Sequence, residues 1–248
     1  CVIENGGNSN NGIFLNNAKN ARIENVRVEN NQEGTRVTRG FASAIDVTIR
    51  DSFISNSNTN GLYVMGPMSE SDNLFVEGTT LENNGRYGIE FFGLHDNADL
   101  TLLNNSIIGN GGGGVHGLSG GMSGGMSGDS ELRIENNLIE NNSLWNPGTG
   151  IYLGSGSDTG SDIEDNSEVT VSGNTIDNNE VVGIAVNANL LDNSIVWIDN
   201  NIVRETSPTD FVDQRAGILL ARNTIEENAV LDITRNFVDN NGTGVYIN

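Results

Sequence analysis

The sequence predicts an all-β solenoid, in which one short unit repeats along the chain and each unit buries its apolar side against its neighbours. Eight segments follow the pattern apolar–x–apolar–x–polar–polar–x–apolar or a close variant, as in residues 132–139 (LRIENNLI) and 231–238 (LDITRNFV). An apolar–any–apolar triplet, or a near version of it, also follows each of nine glycines: Gly12, Gly34, Gly61, Gly88, Gly114, Gly150, Gly183, Gly217 and Gly244.

Each unit contains three short strands, and their alternating residues define three inward columns. The first strand, after each glycine, contributes Ile13, Thr35, Leu62, Ile89, Val115, Ile151, Ile184, Ile218 and Val245. The second strand contributes Ile23, Ile49, Val76, Leu102, Ile134, Val171, Ile198 and Ile233. The third strand contributes Val28, Ile54, Leu81, Ile107, Ile139, Ile176, Val203 and Val238. Three strands per coil, stacked about 4.8 Å apart, make a right-handed parallel β-helix of about eight to nine coils.

The spacing of the second-strand column separates regular coils from insertions. Its steps are 26 or 27 residues, except for three longer ones of 32, 37 and 35. We expect the extra residues to form loops at 111–128, which contains GGMSGGMSG, at 154–166 and at 205–215. A flexible loop is the simplest interpretation of the glycine-rich stretch.

The charge of the chain limits its partners. Its 33 acidic and 12 basic residues give a net charge of −21, and Lys19 is its single lysine. A nucleic-acid partner is excluded because phosphate contacts need a basic surface. No stretch approaches the roughly 20 apolar residues of a membrane span. Such acidity suits a salty or Ca²⁺-rich exterior, so we expect an extracellular or cell-surface location. A single cysteine excludes an internal disulfide framework.

The column pattern resembles the right-handed parallel β-helix superfamily, the pectate-lyase-like fold shared with polygalacturonases, alginate epimerases and lyases, phage tailspikes and many surface proteins. The resemblance covers essentially the whole chain and implies the fold, but not one activity. The polygalacturonase motifs are not intact, and their closest fragments are Asn58-Thr59-Asn60 and Val115-His116-Gly117. The Asp-Pro-His-Glu motif of alginate epimerases is absent.

The best candidate site is the outward column of the first strand. Arg36, Tyr63, Glu90 and His116 align there on four consecutive coils, about 5 Å apart. Arginine suits a sugar carboxylate, tyrosine or histidine a general base or acid, and glutamate the polarisation of a partner. The alternative is an ordinary solvated strand face with no chemistry.

The same column also carries a set of aromatic residues, which predicts a stacking platform for sugar rings. The alternative is packing of a partner or an insertion loop over this face. The candidate ligand-binding residues are Phe14, Tyr63, Tyr152 and Tyr246.

Two further groups of residues are interpreted structurally. An asparagine ladder at the turn after the second strand comprises Asn105, Asn137, Asn174, Asn201 and Asn236, whose stacked amides should bond between coils. The expected loop at 154–166 is acidic and rich in oxygen ligands, which suits Ca²⁺, and the alternative is an ordinary solvated loop. Its candidate ligands are Asp158, Asp162, Glu164 and Asp165. No other cofactor is expected.

These observations favour a non-catalytic extracellular β-helix that acts as a structural, adhesive, filament-forming or glycan-binding element. The alternative is a lyase or epimerase acting on polyuronates through Arg36, Tyr63, Glu90 and His116. We expect one domain, 1–248, uncapped at both ends, because residues 1–5 (CVIEN) match 21–25 (ARIEN) and no polar cap is visible. The expected partners are a longer parent chain or further copies stacked end to end, and a polysaccharide.

Overall fold

A computed structural model describes residues 1–39, 44–119, 124–142, 148–154, 161–206, 216–221 and 224–247, without the side chains of 5–9. In this part of the chain every regular element is a β-strand, and all paired strands are parallel. The chain winds as a right-handed solenoid of stacked coils. The predicted fold class is therefore confirmed.

Successive coils place their strands on three stacks. The stack of second strands comprises β2 (Ala21–Glu24), β4 (Asp46–Arg50), β7 (Asn73–Glu77), β10 (Asp99–Leu103), β13 (Glu131–Glu135), β16 (Glu168–Ser172), β19 (Ile195–Asp199) and β22 (Val230–Thr234). The stack of third strands comprises β3 (Arg27–Thr38), β5 (Phe53–Ser55), β8 (Thr80–Glu82), β11 (Ser106–Ile108), β14 (Leu138–Glu140), β17 (Thr175–Asp177), β20 (Ile202–Arg204) and β23 (Phe237–Asp239). The stack of first strands comprises β1 (Val2–Asn16), β3, β6 (Leu62–Met65), β9 (Tyr87–Phe91), β12 (Gly113–Gly117), β15 (Thr149–Gly154), β18 (Val182–Asn187), β21 (Ala216–Leu220) and β24 (Thr243–Ile247).

The three predicted inward columns are the actual registers of these stacks. Ile49, for example, pairs with Ile23 and Val76, and the column continues to Ile233. Away from the first and last coils, the column residues are fully buried. Burial of apolar surface stabilises a fold by about 25 cal/mol per Å². This stabilisation is distributed evenly along the solenoid.

The glycine that opens the first strand is required by close packing. A Cβ on Gly88 would lie 2.4 Å from the Cγ2 atom of Ile107 and 2.9 Å from the carbonyl oxygen of Gly114. A Cβ on Gly183 would lie 2.2 Å from the Cγ1 atom of Val203. The glycine column is therefore the place where the third-strand side chains meet the backbone of the first strand.

A fourth inward column lies at the corner before the second strand and was not predicted. Its members form single parallel bridges: Met68, Leu94, Met126, Ile163, Leu190 and Ile225. Met126 belongs to the glycine-rich stretch, and both Met126 and Ile163 are buried. The loops expected at 111–128 and 154–166 are therefore not loops throughout, because both segments supply core residues. Gly113–Gly117 is strand β12, in agreement with the predicted first-strand column.

The asparagines at the turn after the second strand stack amide on amide. The Nδ2 atom of Asn137 donates to Asn174 Oδ1 at 3.0 Å and to the carbonyl oxygen of Leu102 at 2.9 Å. The backbone N–H of Asn137 donates to the same Oδ1 atom at 2.9 Å. Asn105, Asn174 and Asn201 repeat this geometry. Asn236 accepts from Asn201 at the end of the ladder.

A second ladder lies five residues further along each coil, at the turn after the third strand. It was not predicted, although the spacing is regular in the sequence. Its amides are joined at 2.9 to 3.0 Å through Asn84, Asn110, Asn142 and Asn179.

The beginning of the chain is aligned differently from the prediction. Ile3 pairs with Val28, and Glu4 pairs with Glu29. Residues 1–5 therefore lie over 26–30 rather than over 21–25. Cys1 is exposed.

Candidate functional site

The outward side of the first-strand stack carries the candidate residues in one column. Tyr63 pairs with Arg36 and Glu90, His116 pairs with Glu90, and Tyr152 pairs with His116. The parallel register places these residues on successive rungs about 4.8 Å apart. The structure thus brings Arg36, Tyr63, Glu90 and His116 together on one face.

Glu90 is the most buried of these four residues, with 9% of its surface exposed. The Nδ2 atom of Asn60 donates to Glu90 Oε2 at 2.7 Å, and the Oδ1 atom of Asn60 accepts from the backbone N–H of Tyr87 at 3.2 Å. Burial raises the pKa of Glu90, while the charge of Arg86 and the hydrogen bond from Asn60 oppose that rise. Glu90 is therefore a carboxyl group in an environment that favours its protonated form.

Glu33 adds a second carboxyl group to this face. Its side chain is 13% exposed, and its Oε2 atom lies 3.6 Å from Arg36 Nη1. Burial raises the pKa of Glu33, the charge of Glu90 adds to that rise, and Arg36 and Arg86 oppose it. The charge of Glu90 therefore disfavours the ionised form of Glu33.

Tyr63 lies between Arg36 and Glu90 along the stack. The guanidinium carbon of Arg36 lies 5.3 Å from the centre of the Tyr63 ring, and Phe92 tilts against the ring at 6.1 Å. Burial raises the pKa of Tyr63. The phenol group therefore stays protonated and is suited to donate a hydrogen bond.

Three rings stack next to the glutamates. His116 lies between Tyr87, at 4.4 Å, and Tyr152, at 5.1 Å, and the Arg86 guanidinium lies 5.2 Å from the Tyr87 ring centre. Burial, with a smaller effect from Arg86, lowers the pKa of His116 to about 4. Its imidazole is therefore neutral at physiological pH. Its Nδ1 atom is buried and has no hydrogen-bond partner.

The predicted aromatic platform has a different geometry from a row of open rings. The Tyr152 ring faces His116, and its hydroxyl oxygen accepts from Asn187 Nδ2 at 3.1 Å. The Tyr63 ring faces Arg36. A sugar would therefore meet the edges and hydroxyl groups of these tyrosines. Phe14, which is 55% exposed, occupies the rung next to Arg36. Tyr246, which is 42% exposed, lies beyond Leu219 at the other end of the column.

Beyond Tyr152, the outward column of the first-strand stack becomes apolar. Ala185 and Leu219 occupy the next two rungs and are buried together with Val182 and Ala216. Charged and titratable groups are thus concentrated on the strands β3, β6, β9 and β12. We call the set Glu33, Arg36, Asn60, Tyr63, Arg86, Tyr87, Glu90 and His116 the outer-face cluster.

The candidate calcium loop is only partly described. Asp158 lies outside the described residues, and Asp162 Oδ1 accepts from Asn189 Nδ2 at 2.8 Å. Burial raises the pKa of Glu164, and the neighbouring charges of Asp165, Asp162 and Asp192 add to it. The residues with described positions hold no group of three or more His, Cys, Asp or Glu side chains suited to a metal. Calcium binding by this loop stays a prediction.

Sequence reasoning missed Glu33, Asn60 and Tyr87 as members of this face. Each directly precedes a repeat glycine, a position that shows no apolar pattern. Their side chains meet the outward column across coils, as when Asn60 bonds to Glu90. A search for polar or aromatic residues just before the glycines, on the coils that carry Arg36 to His116, would have found them.

The family comparison agrees with the architecture. The model of the right-handed β-helix region matches residues 1–167 and 119–248, so the chain belongs to this family. No curated protein matches the sequence. An alginate lyase from Paenibacillus sp. str. FPU-7 is similar at 15% identity and a TM-score of 0.44, covering 100% of this chain and 98% of that one. So distant a likeness says nothing about activity. Where the chain is described, no helix is long and apolar enough to cross a membrane.

Proposed function

We propose that this β-helix works outside the cell and binds a polysaccharide chain across the outer-face cluster. The observation that carries the proposal is the concentration of buried polar and charged groups on one outward face. Burying such groups costs free energy unless they are fully paired, and clusters with perturbed protonation are typical of functional sites. Glu33 Oε2, Arg36 Nε and His116 Nδ1 are buried atoms with no hydrogen-bond partner.

A carbohydrate fits the shape and chemistry of this face. The cluster follows consecutive rungs, so it offers an extended strip instead of a single pocket. Carboxyl, guanidinium, amide and phenol groups supply the mixed donors and acceptors that sugar hydroxyl groups need. With a net charge of −21, long-range attraction of a polyanion is weak. We therefore expect neutral polysaccharides to bind at least as well as polyuronates at low salt.

A binding experiment tests this proposal. Affinity electrophoresis or calorimetry would use alginate, polygalacturonate, xylan and a mixed-linked glucan with the wild type, Arg36→Gln and Tyr63→Ala. The control is Glu77→Gln, a change on the second-strand stack. We expect at least a tenfold loss of affinity in the cluster variants, about 1.4 kcal/mol, and none in the control. Equal affinity of all four proteins for every bound polysaccharide would contradict the proposal.

Cleavage of a polyuronate by elimination is the second candidate function. The neutral imidazole of His116 favours it, because a neutral base can remove a proton next to a sugar carboxylate. The products are unsaturated and absorb ultraviolet light. Absorbance that rises with wild type and not with His116→Phe would support this function, and absorbance unchanged by the substitution would exclude His116 as the base.

A structural role, in which coils stack end to end with further copies or with a longer parent chain, also stays a proposal. Size measurement of the chain across a concentration series would test it.

A further inference from the structure

We propose that His116 carries its imidazole proton on Nε2 and donates a hydrogen bond from that atom to an oxygen of the bound polysaccharide. This inference rests on the proposed polysaccharide binding and names a residue that holds the ligand. The sequence offered His116 as a general acid or base, which is a different role.

The stacking of the His116 ring leaves part of one edge for a ligand. The Tyr87 ring lies against it at 4.4 Å and an angle of 17°, and the Tyr152 ring lies on its other side at 5.1 Å and 6°. Both faces of the imidazole are therefore covered. Its Nδ1 atom is buried, whereas Nε2 is not among the buried unpaired atoms and receives no hydrogen bond from any described residue. The Nε2 atom is thus the part of the ring that is open to solvent.

The glycines before His116 make room for this stack. A Cβ on Gly112 would lie 3.2 Å from the Cε1 atom of Tyr87, and a Cβ on Gly113 would lie 3.4 Å from its Cδ1 atom. A longer side chain at either position would push against the Tyr87 ring. The local sequence therefore allows Tyr87 to lie flat on the imidazole and to limit its tilt.

The proton of the His116 ring has two possible positions. A neutral imidazole has one donor nitrogen and one acceptor nitrogen, and the pKa of about 4, lowered by burial, keeps the ring neutral at pH 7. A proton on Nδ1 would be a buried N–H without an acceptor, whereas a proton on Nε2 can donate to water or to a ligand. Unpaired buried donors are rarer than unpaired buried acceptors. The proton therefore belongs on Nε2.

A donor at this place selects ligands with acceptor oxygens. The hydroxyl, ring and carboxylate oxygens of a sugar all accept from an N–H group. Tyr63 adds a second neutral donor to the same column, because burial raises the pKa of its phenol. Neither donor depends on a charge, so these contacts suit neutral and acidic polysaccharides alike.

The same proton position argues against His116 as the base of an elimination. A base must accept the proton at an atom that touches the substrate. With the proton on Nε2, the nitrogen that can accept is Nδ1, which is buried. This form of the ring favours binding over cleavage.

The first measurement locates the proton in the free protein. Nuclear magnetic resonance of protein labelled at the histidine nitrogens distinguishes the protonated from the unprotonated ring nitrogen. The chain has two histidines, and His116→Phe identifies which signals belong to His116. We expect the proton on Nε2 at pH 7. Whichever of the four polysaccharides named above binds most tightly should shift the signals of Nε2 and its proton.

The second measurement compares the affinities of three variants for that polysaccharide. The amide of His116→Gln reaches near the Nε2 position, the shorter amide of His116→Asn reaches near Nδ1, and His116→Phe keeps a ring without a donor. We expect affinity to fall about two- to tenfold in His116→Phe and His116→Asn, and least in His116→Gln. The control is His95→Phe, since His95 lies outside the cluster with its Nδ1 atom 2.8 Å from Ser127 Oγ. Thermal unfolding checks that each variant is folded.

Three results would overturn the inference. One is a proton on Nδ1 in the free protein. Another is equal affinity of the wild type, His116→Phe and His116→Asn for a polysaccharide that the wild type binds. The third is a loss in His116→Gln as large as that in His116→Asn, which would assign binding to the ring and not to its donor. If the wild type binds none of the four polysaccharides, the proposed function fails and the donor role with it, while the spectrum still decides the position of the proton.

Discussion

The asparagine ladders and the outer-face cluster are both sets of buried polar groups, but they differ in how many of their hydrogen bonds are made. In the ladder, Asn137 donates through both its backbone and its amide and accepts from Asn105. In the cluster, polar atoms of Glu33, Arg36 and His116 have no hydrogen-bond partner. The ladder thus saturates its hydrogen bonds internally, whereas the cluster keeps capacity for another molecule.

This difference predicts how each region responds to substitution. A saturated network stabilises the fold, and its loss leaves buried groups unpaired. A cluster of partly desolvated charges costs stability, and its loss should impair binding more than folding. The predictions below run from the largest expected change in the free energy of unfolding to the smallest.

Replacing Asn137 with alanine should give the largest loss in the free energy of unfolding. The change removes the acceptor of the Asn105 amide and the donor to the Leu102 carbonyl oxygen. Each buried group left unpaired costs about 1–3 kcal/mol, so we expect a loss of about 3–5 kcal/mol in urea unfolding. The control is Asn104→Gly, since Asn104 is exposed with φ of 55°. A loss below 1 kcal/mol for Asn137→Ala would show that the ladder is dispensable.

His116 should make the free energy of unfolding depend on pH. Its pKa in the folded protein is about 4, below the ordinary value of 6.5. Its contribution is therefore full above pH 6.5 and is lost as the pH falls through 4, a change of about 3 kcal/mol. His116→Phe keeps a ring between the tyrosines and removes the titration. Urea unfolding at pH 7 and pH 4 should show the wild type losing that much more than the variant. An equal loss in both proteins would contradict the prediction.

Glu90→Gln should have a smaller effect of the opposite sign. A raised carboxyl pKa means that stability is full at low pH and is lost as the pH rises through that pKa. The variant avoids this loss, so we expect it to equal or exceed the wild type at pH 7 by up to about 1 kcal/mol. The advantage should vanish near pH 4. Thermal unfolding at both pH values measures it, and a clear loss at pH 7 would assign Glu90 a structural role.

Glu77→Gln should change least. Glu77 pairs with Arg50 at 2.8 Å on the solvent side of the second-strand stack. Exposed ion pairs contribute about 0–1 kcal/mol, and salt should reduce even that. Unfolding in low and high salt would test this. A loss above 2 kcal/mol would mean that the outward charges set the register of the coils.

The sequence predicted the stacking of the coils well, because period-two alternation and the repeat glycine fix which residue lies over which. It did not predict the fourth inward column, since Met68 and Leu94 form isolated bridges without a repeating pattern around them. It predicted one asparagine ladder and missed the second, in which Asn110 lies five residues after Asn105.

The candidate site was predicted in part, for a physical reason. Register determines which side chains share a column, so Arg36, Tyr63, Glu90 and His116 were found. It does not determine how a side chain leans between coils. Asn60 reaches Glu90 and Tyr87 stacks on His116 in this way, and neither contact leaves a pattern in the sequence.

The asparagine ladder also gives the molecule a direction. From Asn105 to Asn201, each backbone N–H and one amide hydrogen donate to the Oδ1 atom on the coil that follows in sequence. The other amide hydrogen donates to a carbonyl oxygen of the coil that precedes. The two sides of a coil are therefore not interchangeable, because the backbone N–H points to one side and the Oδ1 atom accepts from the other. A coil turned end for end would bring donors against donors. Any further coil must join in the same orientation, so the ladder encodes polarity as well as stability.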